Sequence, residues 1–98
     1  MGFKKLRGVA LPEEKQGLVR YTCLNYQDQP KWIQEKIQHL CAQCGGAHQR
    51  ALFDVMTTRR GIVEIAMENN VSESVLYERR KIFYESWFKK KRTDGREA

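Results

Sequence analysis

The chain has only two prolines in 98 residues and few β-branched residues, which argues against a sheet-based fold with its many tight turns. No apolar run approaches the roughly 20 residues that a membrane span needs. The opening stretch Met1-Gly2-Phe3-Lys4-Lys5-Leu6-Arg7 is basic, but no signal-peptide core follows it. Leu6 stands where a myristoylation signal on Gly2 would place Ser or Thr. The localisation expected from these absences is cytoplasmic. The sequence also has no internal repeat, no low-complexity linker, no Gly-rich phosphate loop and no nucleophile–base–acid set. Glu13-Glu14 is better explained as the acidic start of a helix than as a catalytic carboxylate pair. No enzyme activity, catalytic residue or cofactor is expected.

Three cysteines, an odd number, most simply stay reduced. His39, Cys41, Cys44 and His48 lie within ten residues, with Cys23 upstream, and Cys-x-x-Cys beside His invites a zinc reading. The spacing opposes it, because Cys41 and Cys44 fall on the apolar face of a helix, where free Cys acts as a small hydrophobe. No metal site is expected.

What is present suits one small helical domain. Apolar content is 41% and charged content 31%, enough for one shared core with a solvated helical surface. The expected architecture is all-α, with four to five short helices and a C-terminal helix-turn-helix. Residues 1–11 read as a flexible basic arm, 12–92 as the domain and 93–98 as a disordered tail. Pro12 with Glu13 and Glu14 can open a first helix, whose inward face would be Leu18, Tyr21, Thr22 and Asn25. Pro30 opens a second, capped by Asp28 or Gln29. Its stripe is Ile33, Ile37, Leu40, Cys41 and Cys44, and Gly45-Gly46 ends it. A third buries Ala51, Leu52, Val55 and Met56. Thr57-Thr58 caps a fourth with Ile62, Ile65 and Ala66 inside. The last buries Leu76, Ile82 or Phe83, and Trp87.

The segment from Ile65 to Tyr77 carries the most information. It has the shape of a helix, a turn of about three residues and a second helix, within a helix-turn-helix spanning about 58–88. Ala66 falls where two such helices cross, and Ile65 and Leu76 point into their shared core above Val71. Asn70 sits where the chain leaves the first helix, commonly left-handed, a place for Gly or Asn. Ser72 can cap the second helix, and with Ser74 it leaves small polar groups near that helix start. An ordinary helical hairpin would share much of this pattern. Asn69 and Arg79 occupy positions that are usually apolar.

The charge is unevenly placed. The chain carries 18 Lys and Arg against 12 Asp and Glu, a net +6. Residues 79–92 hold seven of those basic side chains (Arg79, Arg80, Lys81, Lys89, Lys90, Lys91, Arg92) and one acidic one, Glu85, so the remainder is neutral. A basic stripe along a helix is the electrostatic footprint expected of phosphate contact, Lys89 and Lys90 included.

From Ala51 to Trp87 the chain resembles the region-4 helix-turn-helix of sigma factors and the sigma-like regulators of phages and prophages of Gram-positive bacteria. The matching residues are Ile62 to Ala66, Val71-Ser72-Glu73-Ser74, and Leu76 followed by Arg79-Arg80-Lys81. Met56-Thr57-Thr58-Arg59-Arg60 and Phe83-Tyr84-Glu85-Ser86-Trp87 are similar to stretches of small phage proteins of that type. The resemblance implies a helix in the major groove with Ser72, Glu73, Ser74, Tyr77 and Glu78 reading bases. Glu73 would accept from cytosine N4, and Tyr77 would pack on a thymine methyl. It implies phosphate contacts from Arg59, Arg60, Arg80 and Lys81. Lacking the other sigma regions, the chain is not expected to melt promoters.

The expected function is therefore a sequence-specific double-stranded DNA-binding transcriptional regulator, phage- or mobile-element-derived. RNA polymerase or another protein is a further candidate partner. A homodimer would form through the N-terminal helices, with Tyr26, Trp32 and the Ile33/Ile37 stripe as candidates, against the alternative that these pack within one chain. The second reading is a protein-interaction adaptor or inhibitor that uses the motif as scaffold. The third is nonspecific RNA or single-strand binding, weakened by aromatics at core spacing.

Overall fold

The structure, a computed structural model, describes Leu6 and residues 8–89. All regular structure among these residues is helical: α1 (Glu13–Leu24), α2 (Lys31–Gly45), α3 (Gln49–Thr57), α4 (Ile62–Glu68) and α5 (Glu73–Trp87). Two 3-10 turns, Tyr26–Asp28 and Gly46–His48, join α1 to α2 and α2 to α3. No helix among the described residues is long and apolar enough to cross a membrane.

The centre is made by α2, α3 and α5, each packed on the other two. The stripe on α2 buries Ile37, Leu40, Cys41 and Cys44, while Ile33 is half-buried at its edge. All four inward positions expected on α3 are buried: Ala51, Leu52, Val55 and Met56. Apolar residues at three- and four-residue spacing fix these two faces, since burial is favourable only if they point the same way. Helix α2 ends where Gly46 takes φ 55°, the left-handed conformation that glycine adopts without a steric penalty. Just before it, Gly45 brings the two helices close. A Cβ built there would lie 3.3 Å from a Leu52 methyl.

Helix α1 turns a different face inward from the expected one. Leu18 is 55% and Tyr21 41% exposed, whereas Gln16, Gly17, Val19 and Cys23 are buried. Polar groups position this helix as much as apolar ones. The Gln16 side chain accepts from the Leu6 backbone N–H at 2.7 Å and donates to the Leu11 carbonyl at 3.0 Å. Arg20 donates to the carbonyls of Val55 at 2.7 Å, Met56 at 3.1 Å and Thr58 at 3.0 Å. These carbonyls lie at the C-terminal end of α3, where intrahelical donors run out. The described part of the expected arm is docked: Val9 is buried, and the Ala10 N–H donates to Glu85 Oε2 at 2.8 Å.

Two expected caps fall elsewhere. Pro30 itself is the N-cap of α2, with no side-chain cap, and Asp28 belongs to the preceding 3-10 turn. Gly61 is the N-cap of α4. Thr57 and Thr58 instead close α3, their hydroxyls donating to Phe53 O and Asp54 O at 2.7 Å. A hydroxyl at a helix C-terminus can share the carbonyl one turn back with a backbone N–H, as Thr58 does at Asp54 O, and this competes with capping the next helix.

Candidate nucleic-acid interface

Helix α4, the turn at 69–72 and α5 form a compact unit against α3. The end of α4 has the geometry of a Schellman turn. Asn70 takes φ 55°, the only non-glycine residue with positive φ among those described. Val71 N–H bonds Ala66 O at 3.0 Å, and Asn70 N–H bonds Met67 O at 3.4 Å. Val71 packs against the core beneath the turn. Asn69 is accounted for as well, its amide donating to Ile65 O at 2.8 Å. Ile65, Ala66 and Leu76 are buried. A small side chain at Ala66 lets α4 approach α5.

Ser72 is the N-cap of α5, its hydroxyl accepting from Val75 N–H at 3.3 Å. The hydroxyls of Ser72 and Ser74 lie 3.3 Å apart. Ser72, Glu73, Ser74, Tyr77 and Glu78 are all exposed, and Lys81 continues the same side one turn on. The side of α5 towards the core buries Leu76, Phe83, Tyr84 and Trp87. Phe83 is thus the inward residue and Ile82 the half-buried one. Tyr84 had no sequence signal, because a polar-tipped aromatic fits a surface equally well.

The cations are arranged less simply than their count suggests. Arg59 and Lys81 are exposed, as is Lys89 at the far end, while Lys90 lies outside the described residues. Arg60 is held by two carboxylates of α4, Glu64 at 3.3 Å and Glu68. Those bonds hold the guanidinium pKa above its usual range and the Glu68 carboxyl below its own. Arg80 is half-buried with its guanidinium 5.1 Å from the Tyr77 ring, and burial lowers its pKa. Arg79 turns inward, Nη1 lying 3.5 Å from Cys44 O at the end of α2, with Nε buried and unpaired. Charge on the outward side of α5 is therefore Glu73 and Glu78 against Lys81.

Among the candidates for self-association, Ile37 is fully buried within the chain and Ile33 half-buried. Tyr26 packs edge-on against Phe53, ring centroids 5.1 Å apart. Trp32 is 67% exposed. The three thiols are free and buried, and burial pushes those of Cys23 and Cys41 up to about 12. Among the described residues no group of three or more His, Cys, Asp or Glu is placed to hold a metal ion.

Compared with known proteins, the chain matches no protein-family model, no curated protein and no solved structure.

Proposed function

We propose that the chain is a sequence-specific double-stranded DNA-binding regulator of the sigma-region-4-like, mobile-element type, with α4, the turn and α5 as its helix-turn-helix. The observation that carries this reading is the exposure of Ser72, Glu73, Ser74, Tyr77 and Glu78 around the capped start of a helix whose other side is buried. A helix held this way can lie in a major groove with its first turns against base edges. Lys81, Arg59 and Lys89 supply the phosphate contacts. Arg80 braces Tyr77, and Arg60 reaches phosphate only by leaving its carboxylates. Two copies on a two-fold site would extend the contact beyond one short helix.

The test is fluorescence anisotropy on a labelled duplex from the gene's own upstream region, against a scrambled duplex, titrated with salt. A preference of roughly a thousandfold, with affinity falling steeply as salt rises, is the expected result. Weak binding, equal on both duplexes, would refute it.

One observation favours a second reading, a protein-interaction adaptor. The outward side of α5 carries two carboxylates to one ammonium, and neighbouring α4 exposes Met67 at 76% and Val63 at 49%. Exposed apolar side chains beside acids suit a protein face better than a polyphosphate.

A further inference from the structure

Beside the proposed DNA surface, with which it shares Lys89, α2 and the end of α5 line a groove of about 690 Å³. The aliphatic stems of the lysines and the edges of Leu40 and Trp87, both otherwise buried, make its apolar floor. Lys36, His39 and Lys89 stand on its rim against one carboxylate, Glu35. The volume is within the range of small-molecule sites, about 300–1,000 Å³.

Lys36 is the informative residue. The residue is half-buried, and its ammonium lies 4.2 Å from the centre of the Trp87 ring. No ion pair holds it among the described residues, where both ion pairs belong to Arg60. Partial burial lowers its pKa, since no counter-ion offsets the water it has lost. A cation in that state gains most from an anion that arrives with its own apolar body, because the ring faces and stems beside it stay dry.

We propose that this groove binds a small organic anion with a flat apolar body, an aryl carboxylate, its carboxylate between Lys36 and Lys89 and its ring against the lysine stems and the accessible edges of Leu40 and Trp87. The site shares Lys89 with the DNA reading and otherwise uses residues outside it, Lys36 and Leu40 on α2 and Trp87 at the far end of α5.

The test uses the full chain without DNA and 2-naphthoate as probe, followed by calorimetry and amide chemical-shift mapping. Saturable one-to-one binding is expected, with the largest shifts at Lys36, Leu40 and Trp87. Lys36→Gln and Lys89→Gln should each weaken it about tenfold, the loss of one charge-assisted contact, with the helical circular dichroism unchanged. Lys89 is exposed, so its variant reports on the site even if Lys36→Gln perturbs packing. The neutral isostere 2-naphthalenemethanol should bind at least about tenfold more weakly. Equal binding of the neutral isostere would overturn the proposal, as would equal binding of inorganic phosphate, shifts centred on exposed Trp32 or Met67, or no saturable binding. Since no duplex is present, failure here leaves the DNA reading standing, and failure of the DNA reading leaves this site standing.

Discussion

Arg79 Nη1 on α5 lies 3.5 Å from the carbonyl oxygen of Cys44 on α2, so one cation of the basic stripe ties two helices together instead of facing a phosphate. A guanidinium complements the negative end of α2, whose last carbonyls lack intrahelical donors. Arg79→Ala should destabilise the fold by about 1–2 kcal/mol in urea unfolding. Arg79→Met should cost less, since it fills the space and removes the unpaired Nε. Neither variant should change the salt slope of DNA binding, whereas Lys81→Ala should lower it by about one. A lowered slope in Arg79→Ala would mean that Arg79 leaves Cys44 for phosphate.

Arg20 makes a stronger tie of the same kind, with three carbonyls at the end of α3 as acceptors. Arg20→Ala strands those carbonyls and should cost about 2–3 kcal/mol, at the upper range for hydrogen bonds to a charged group. Arg20→Lys should recover only part of this, because an ammonium cannot span Val55 and Thr58 with a planar fork. Equilibrium unfolding of the three proteins decides it, and an Arg20→Ala midpoint equal to the parent's would show the ties to be weak.

These two arginines also mark where sequence reading succeeds and fails. The inward faces of α2 and α3 were legible because Ile37, Leu40 and Cys41, and Leu52, Val55 and Met56, are apolar and recur at helical spacing. Asn70 and Ser72 were legible because a left-handed residue and an N-cap each demand a narrow choice of side chain. The face of α1 was not, since Gln16 and Arg20 hold it through side-chain hydrogen bonds to backbone outside the helix, which leave no periodic trace. Charge counting likewise finds Arg60, Arg79 and Arg80 but not their direction, and each is engaged within the chain.

The turn that sets α5 in place depends on Asn70 at φ 55°. Asn70→Ala should cost about 1 kcal/mol, because a Cβ without a local polar partner is disfavoured in that conformation. Asn70→Gly should be neutral or slightly stabilising. Thermal unfolding of both variants tests this, and equal loss in Ala and Gly would locate the role of Asn70 in its side chain instead.

Buried thiols give the fold an alkaline weakness. The folded-state pKa of Cys23 and of Cys41 is raised from 9.0 to about 12, by burial first and then by a neighbouring thiol. A raised value favours the protonated form, so the associated stability is full below pH 9 and is lost as pH climbs towards 12. In that window the unfolded chain releases protons that the native chain keeps, so stability should fall as pH rises. Urea midpoints taken across this range should decline, and the decline should be shallower in Cys41→Ala. At pH 8 both thiols should resist iodoacetamide in the native state and react in urea. Rapid native labelling of Cys41 would contradict the burial that underlies the pH effect.

The acidic outward side of α5 makes a sharper demand on the proposed interface. Two carboxylates facing a polyanion are tolerated only if at least one finds a base-edge donor, and Glu73 in the first turn is the better placed for cytosine N4. In the proposed complex Glu78, one turn further along α5 than Glu73, would be the reader nearest the groove wall, where a carboxylate repels phosphate. Glu73→Ala should therefore relax preference at one base pair, by about 1–3 kcal/mol of discrimination, with scrambled-duplex affinity little changed. Glu78→Gln should tighten binding to preferred and scrambled duplexes alike, the gain shrinking as salt is raised. If both substitutions instead leave every duplex unchanged, while a protein partner loses affinity for Glu78→Gln, the exposed side of α5 is a protein-binding face and the adaptor reading takes its place.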